Sequence, residues 1–240
     1  MRLLLAALLF LACPLHADDA PVQCVVVALK GKVTILRAGK KEPFAAKKGD
    51  FVYEGDVLTT GPDSLADVAL TGGAEVRINA KSVFKLDGSS ADGNQKTSMS
   101  EGQIWSRLIH GHAQLRVTTP NAVAAVRGTE ADIDVHGDLT VKVYDGIVDV
   151  TNPFGKTTLT QGQSTSVHGS AAPAPPHVMG PGETGTWQQG ISADDKTKQE
   201  LLDKLEKEAA APPEKTLKMT VDQNGKQKTI KIKFKKGQQQ

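Results

Sequence analysis

Aromatic residues make up only 4% of this 240-residue chain, and there are two cysteines. No apolar run approaches the roughly 20 residues that a membrane-spanning helix needs. Each scarcity excludes something. The formal net charge of +2 leaves no overall basic excess for nucleic acid, and the lysine-rich end lacks the interleaved aromatics of a single-strand binder. No serine sits in a Gly-x-Ser-x-Gly setting that would activate it. His110 and His112 share one face of a strand, but no cysteine or carboxylate cluster lies close by in sequence to complete a metal set, so they read as solvated surface. No catalytic residue, metal ligand or cofactor is assigned.

Met1 and Arg2 precede the apolar run Leu3 to Ala12, and Ala17 closes the stretch before Asp18 and Asp19. A short positive start, an apolar core and a small residue at the end have the form of a secretory signal, residues 1–17, which places the mature chain in the periplasm or outside the cell. Phe10-Leu11-Ala12-Cys13 also resembles a lipobox, which would give a lipid tether at Cys13; phenylalanine in place of leucine and the following Pro14 argue against it. Cleavage at Ala17 leaves Cys24 alone, so no intramolecular disulfide can form, and Cys24 reads as a small buried hydrophobe.

Residues 18–170 alternate apolar and polar positions over short stretches: Lys32 to Arg37, Leu65 to Thr71, Glu75 to Asn79, Gln103 to Ile109, Gln114 to Thr118, Ala131 to Val135, Leu139 to Tyr144, Ile147 to Val150, Thr157 to Thr160 and Ser164 to Val167. A period of two predicts strands with one face buried. Glycine turns separate them, and a polar-Gly-x echo recurs at Gly49, Gly55, Gly102, Gly146 and Gly162. The fold class expected is all-β: a solenoid-like or rolled antiparallel or mixed sheet of many short strands. In this grammar the carboxylates of Asp132, Asp134, Asp145 and Asp149 read as the wet side of alternating strands. Arg127-Gly128-Thr129 interrupts two strand-like runs and marks a corner.

Residues 171–190 are a Pro/Gly-rich linker. Ser192 to Asp195 looks like a capping box opening an amphipathic helix across 191–211, with Leu201, Leu202 and Leu205 as its apolar stripe. Residues 212–240 read as a hairpin turning at Asn224-Gly225, with alternating Leu217, Met219, Val221 and Ile230, Ile232, Phe234. Lys228, Lys231, Lys233, Lys235 and Lys236 make this end basic, suited either to an anionic surface or to guarding an exposed strand edge.

The ordered series Gly55-Asp56-Val57-Leu58-Thr59-Thr60-Gly61, Ala66-Asp67-Val68-Ala69-Leu70, Gly102 with Ile104, Val117-Thr118-Thr119-Pro120, Val126-Arg127-Gly128-Thr129-Glu130, Val141 to Gly146 and Leu159-Thr160-Gln161-Gly162-Gln163 resembles the FecR family over about residues 30 to 168. The resemblance implies an all-β periplasmic domain, best known in inner-membrane regulators that relay a receptor's signal to an extracytoplasmic sigma factor. Those regulators carry a cytoplasmic sigma-binding segment and a membrane helix before this domain. Here only Met1 and Arg2 precede the apolar run.

The resulting expectation is an exported, non-enzymatic binding or scaffold module of the cell envelope, with an envelope protein or cell-wall polymer as partner. It has no transmembrane span, and peripheral or lipid-tethered association is compatible with it. Arg127, Gly128 and Thr129 are the candidate binding residues, with the five tail lysines as a second contact. The alternative is a periplasmic component of FecR-type signalling that acts on a sigma factor through a separate membrane partner.

Overall fold

A computed structural model describes residues 20–90, 94–108 and 114–211, together with the backbone of 215–223 and 226–234. Fifteen strands build one hydrogen-bonded sheet. They are β1 (Val22–Lys30), β2 (Val33–Leu36), β3 (Phe44–Ala45), β4 (Phe51–Tyr53), β5 (Val57–Thr60), β6 (Leu65–Leu70), β7 (Ala74–Ile78), β8 (Val83–Ser89), β9 (Gln95–Leu108), β10 (Gln114–Thr118), β11 (Val123–His136), β12 (Asp138–Asn152), β13 (Gly155–Thr160), β14 (Gln163–Val167) and β15 (His177–Val178). A helix, α1 (Asp195–Ala210), follows, and β16 (Lys215–Gln223) and β17 (Lys226–Phe234) pair as a hairpin in a sheet of their own.

The pairings resolve the large sheet into two leaves. One runs β3-β2-β5-β8-β9-β10-β11-β12-β13, and the other β4-β1-β6-β7-β9-β11-β12-β14-β15. β9, β11 and β12 belong to both because each bends midway. The first half of β9 pairs with β8 and its second half with β7. The first half of β11 pairs with β10 and its second with β9. Successive short strands do the same across a corner, β5 passing from the first leaf into β6 of the second. The outcome is mostly β with one helix, a closed five-stranded barrel with extra strands.

This corrects the solenoid-like expectation. Solenoid coils stack in parallel on the next turn, whereas β9–β10 is the parallel pair here and the other pairs of the sheet are antiparallel. The glycine corners read from the sequence therefore fold antiparallel strands from one leaf to the other. Gly102 shows why the residue is needed: its φ is +101°, and a Cβ there would collide with the Ser82 backbone at Cα. At Gly128, with φ +59°, space is open and the backbone conformation alone selects glycine.

Alternation sends one side of each leaf into a common core containing Val26, Ile35, Leu58, Val76, Phe84, Ile104, Leu115, Ile133, Val141 and Leu159. Cys24 lies in this core, fully buried, and burial drives its thiol pKa far upward, so the thiolate that reacts is not formed.

β1 is buried on both sides. Its outer residues Val22, Val25 and Val27 pack with Ala69 against Leu201 and Leu205 of α1. Asp194 caps this helix, its carboxylate accepting from Thr197 N at 2.9 Å. Ser192, the capping residue read from the sequence, instead donates to the Ala193 carbonyl. The proline-rich segment is docked rather than free: Ala174 N donates to Ser166 O at 2.9 Å and Met179 N to Gly162 O at 2.8 Å. Prolines 173, 175 and 176 leave no backbone donor unsatisfied there because they have no N–H. Among the described residues, no helix is long and apolar enough to cross a membrane.

Candidate functional site

Two places in the fold are candidates for a site. The first is the corner of β11 and β12, where Arg127 opposes Ile147 and Glu130 opposes Asp145, with the register shifting between them. Gly128 on one strand and Gly146, φ +78°, on the other make the bend together. Arg127 is exposed and reaches across to Asp149 Oδ2 at 3.0 Å. Asp149 also meets Lys156 at 3.2 Å and accepts from Thr158 Oγ1 at 2.6 Å. The Thr158 hydrogen bond, then those two cations, hold its carboxyl below the usual range. Gly128 is exposed, and Thr129 continues the β11 backbone. The arginine is thus already paired, although more than half of its side chain faces solvent.

The second place is the outer side of the second leaf, which sequence reasoning missed. The register of β6, β7, β9, β11 and β12 lines up Asp67, Arg77, Trp105, Asp132 and Lys142 across five strands, with Glu75, Arg107 and Glu130 in the adjoining row. Such a row ordinarily faces water, yet Asp67 and Glu75 are 1% exposed and Asp132 2%. The reason lies far along the chain. A 3-10 turn, Trp187–Gly190, and the start of α1 lie across the face. The Trp187 indole donates to Asp132 Oδ2 at 2.9 Å, Arg77 donates to the Gln188 carbonyl, and Lys198 donates to Glu75 Oε2 at 2.6 Å.

Beneath that cover, Trp105 lies between two guanidinium groups, Arg77 at 4.9 Å and Arg107 at 5.5 Å from the ring centroid. Its own N–H donates to Glu130 Oε1 at 2.9 Å. Glu75 draws Arg77 at 2.9 Å and Arg107 at 3.0 Å. Burial opposes its ionisation, but Lys198 and the two arginines outweigh it and lower its pKa. Asp67 is pushed the other way, to about 7, first by burial and then by the neighbouring Glu75 carboxylate. Burial also raises the pKa of Asp132, against the hydrogen bonds from Trp187 and Gln103. Reading Asp132 and Asp149 as the wet side of their strands is therefore corrected, since both are buried.

Lys228, Lys231 and Lys233 fall on β17, where Lys231 stands opposite Lys218 in register. Lys235 and Lys236 lie outside the described residues, as do His110, His112, Cys13 and Ala17. Among the described residues, no group of three or more histidine, cysteine or acidic side chains is placed to hold a metal ion.

Residues 56–149 match the family model described as FecR protein. The chain carries a FecR domain. The match opens at Asp56, at the start of β5, and closes at Asp149, in the second half of β12. It thus takes in the β11–β12 corner and the five-strand row on the second leaf. No curated protein matches the sequence. Among solved structures, two crystal structures from Parabacteroides distasonis ATCC 8503, of a protein provisionally described as an anti-sigma factor, are similar at 19% identity and a TM-score of 0.46. Each alignment covers 51% of this chain and 59% of that one, so the FecR-domain chain spans less than two thirds of that protein's length.

Proposed function

We propose that this protein is an exported, non-enzymatic binding module of the bacterial cell envelope, whose FecR domain holds a protein or cell-wall partner. The observation that carries this reading is the coincidence of the FecR match, 56–149, with the strands that present the charged and aromatic row on the second leaf. Most of its side chains are engaged in ion pairs and hydrogen bonds with one another, an arrangement suited to recognition rather than to moving protons for bond-making. The signal-like sequence of residues 1–17 supports a periplasmic or secreted location. The exposed Arg127 corner and the lysines of β17 and the residues after it offer further contacts on the same chain.

The second reading is a periplasmic component of FecR-type signal transduction, acting on a sigma factor through a separate membrane partner, and the family match favours it specifically. One experiment separates the two. The full-length tagged protein is expressed in its own host, the mature N-terminus is sequenced, and partners are recovered from envelope extracts before and after deletion of the gene for any co-purifying membrane regulator. A partner set confined to that regulator, with sigma-dependent transcription altered by loss of this protein, supports signalling. Cell-wall polymer or several envelope proteins recovered regardless supports the scaffold. An uncleaved leader in the cytosol sinks both.

A further inference from the structure

The turn over the second leaf is attached in an unusual way. Its hydrogen bonds to the face are three, the Trp187 indole to Asp132, Arg77 to the Gln188 carbonyl, and Gly185 N to the Tyr144 hydroxyl at 3.4 Å, and at its end Gly190 lies beside Leu65 and Ile191 is buried. The larger apolar anchor lies farther along, where Leu201 and Leu205 pack on β1, so α1 has a hold on the sheet that does not depend on the turn. On its N-terminal side the chain is pinned through Met179, and between that point and Trp187 come Gly180, Gly182 and Gly185, with Gly182 at φ +92°. Gly190 closes the other side.

The fit beneath the turn is also incomplete. Asp67 Oδ1 and Gln188 Oε1 are buried with no hydrogen-bond partner, and Arg77 Nε reaches Asp67 Oδ2 only at 3.7 Å. Leaving a buried polar atom without a partner costs stability, so a permanently closed interface selected for stability would satisfy or remove such atoms. A face that exchanges occupants need fit each only in part. The turn occupies it as a peptide would, offering one aromatic N–H donor and one backbone carbonyl from adjacent residues.

We propose that the outer face of β7, β9 and β11 is a peptide-docking site that residues 183–191 occupy from within the chain, and that a partner segment presenting an indole beside a free backbone carbonyl displaces them. Asp132 takes the indole N–H, and Arg77 takes the carbonyl. Glu75, with Arg107 and Lys198 on it, keeps Arg77 aimed. The proposal goes beyond the envelope reading and does not need it, because its test uses no native partner.

The probe is a fluorescein-labelled synthetic peptide of residues 183–191, Glu-Thr-Gly-Thr-Trp-Gln-Gln-Gly-Ile, titrated by anisotropy against full-length protein. In Trp187→Ala the internal occupant is weakened, and the peptide should bind at least tenfold more tightly than to the wild type. Adding Asp132→Asn to that variant should weaken binding by about tenfold or more. Circular dichroism and a cooperative thermal transition establish that both variants are folded. Hydrogen exchange on the wild type needs no variant: the amides of 186–190 should exchange at least a hundredfold faster than those of Ile104 and Ile133. Peptide binding to neither protein, binding indifferent to Asp132→Asn, or turn amides that exchange only with global unfolding would each overturn the proposal.

Discussion

The carboxylate of Asp56, 1% exposed, ties together Arg37 and the backbone of two loops: it accepts from Ala38 N and Tyr53 N, both at 2.9 Å, and pairs with the Arg37 guanidinium. Arg37 in turn lies over the rings of Phe44, at 5.2 Å, and Tyr53, at 4.8 Å. Asp56 is the aspartate of the Gly-Asp-Val sequence that opens the FecR match, and its role is to close the β4–β5 corner. Replacing it with alanine orphans two backbone N–H groups and leaves a half-buried cation unpaired. Asp56→Ala should therefore destabilise the domain by about 2–4 kcal/mol, measured by urea unfolding, while Asp56→Asn, which keeps an acceptor, costs less.

Gly102 and Gly128 both adopt positive φ but should respond differently to substitution. At Gly128 there is room for a side chain, so Gly128→Ala carries only the left-handed backbone penalty of roughly 1–2 kcal/mol, and Gly128→Asn should be milder because asparagine visits this region more readily. At Gly102 a Cβ meets the Ser82 backbone as well. Gly102→Ala should cost at least about 3 kcal/mol by denaturant titration, and Gly102→Asn should give no relief. Equal costs at the two sites would refute the close approach as the cause.

Asp67 gives the domain a pH dependence with a definite sign. Its folded pKa, about 7, lies above the ordinary carboxylate value of 3.8, so the folded state holds a proton that the unfolded chain has already lost. That contribution is complete below about pH 4 and disappears as pH rises through 7. Glu75, whose pKa is lowered, has the opposite sign: its contribution is present above its ordinary 4.5 and is lost as pH falls through its folded-state value. Between pH 5 and 8 the melting temperature of the wild type should fall, and Asp67→Asn should flatten that slope. An unchanged slope in the variant would locate the titration elsewhere.

The helix anchor is separable from the turn it follows. Leu205, 1% exposed, packs on β1 with Leu201, and Leu205→Ala should cost about 2–4 kcal/mol of local stability. Proteolysis within 195–211 should accelerate in this variant while the β-domain remains resistant.

Much of the strand pattern was legible because period two survives in short segments: Val33 with Ile35, Val76 with Ile78, and Ala131 with Ile133 and Val135 all point into the core. The corners were legible through their glycines. Strand continuity was not. Arg127-Gly128-Thr129 and Asp145-Gly146 looked like breaks, yet β11 and β12 run through both, since a bend held by a cross-strand partner needs no local signal. The buried face was illegible for a related reason. Asp132 alternates with Ile133 as a solvated residue should, and only Trp187, fifty-five residues later, removes it from water. Trp187 stands in a stretch whose glycines and prolines read as linker, and a lone tryptophan there was the one local hint of docking.

Site-specific photo-crosslinking in living cells tests the central claim, that the charged and aromatic face on the second leaf meets a partner in the envelope. A crosslinking residue replaces Arg107, exposed on that face, and in a control strain replaces Lys85, exposed on the other leaf. The account predicts a discrete higher-mass adduct from position 107 that is absent from position 85 and grows when Trp187 is changed to alanine. Adducts of equal yield from both positions, or none from position 107 in either background, would contradict it.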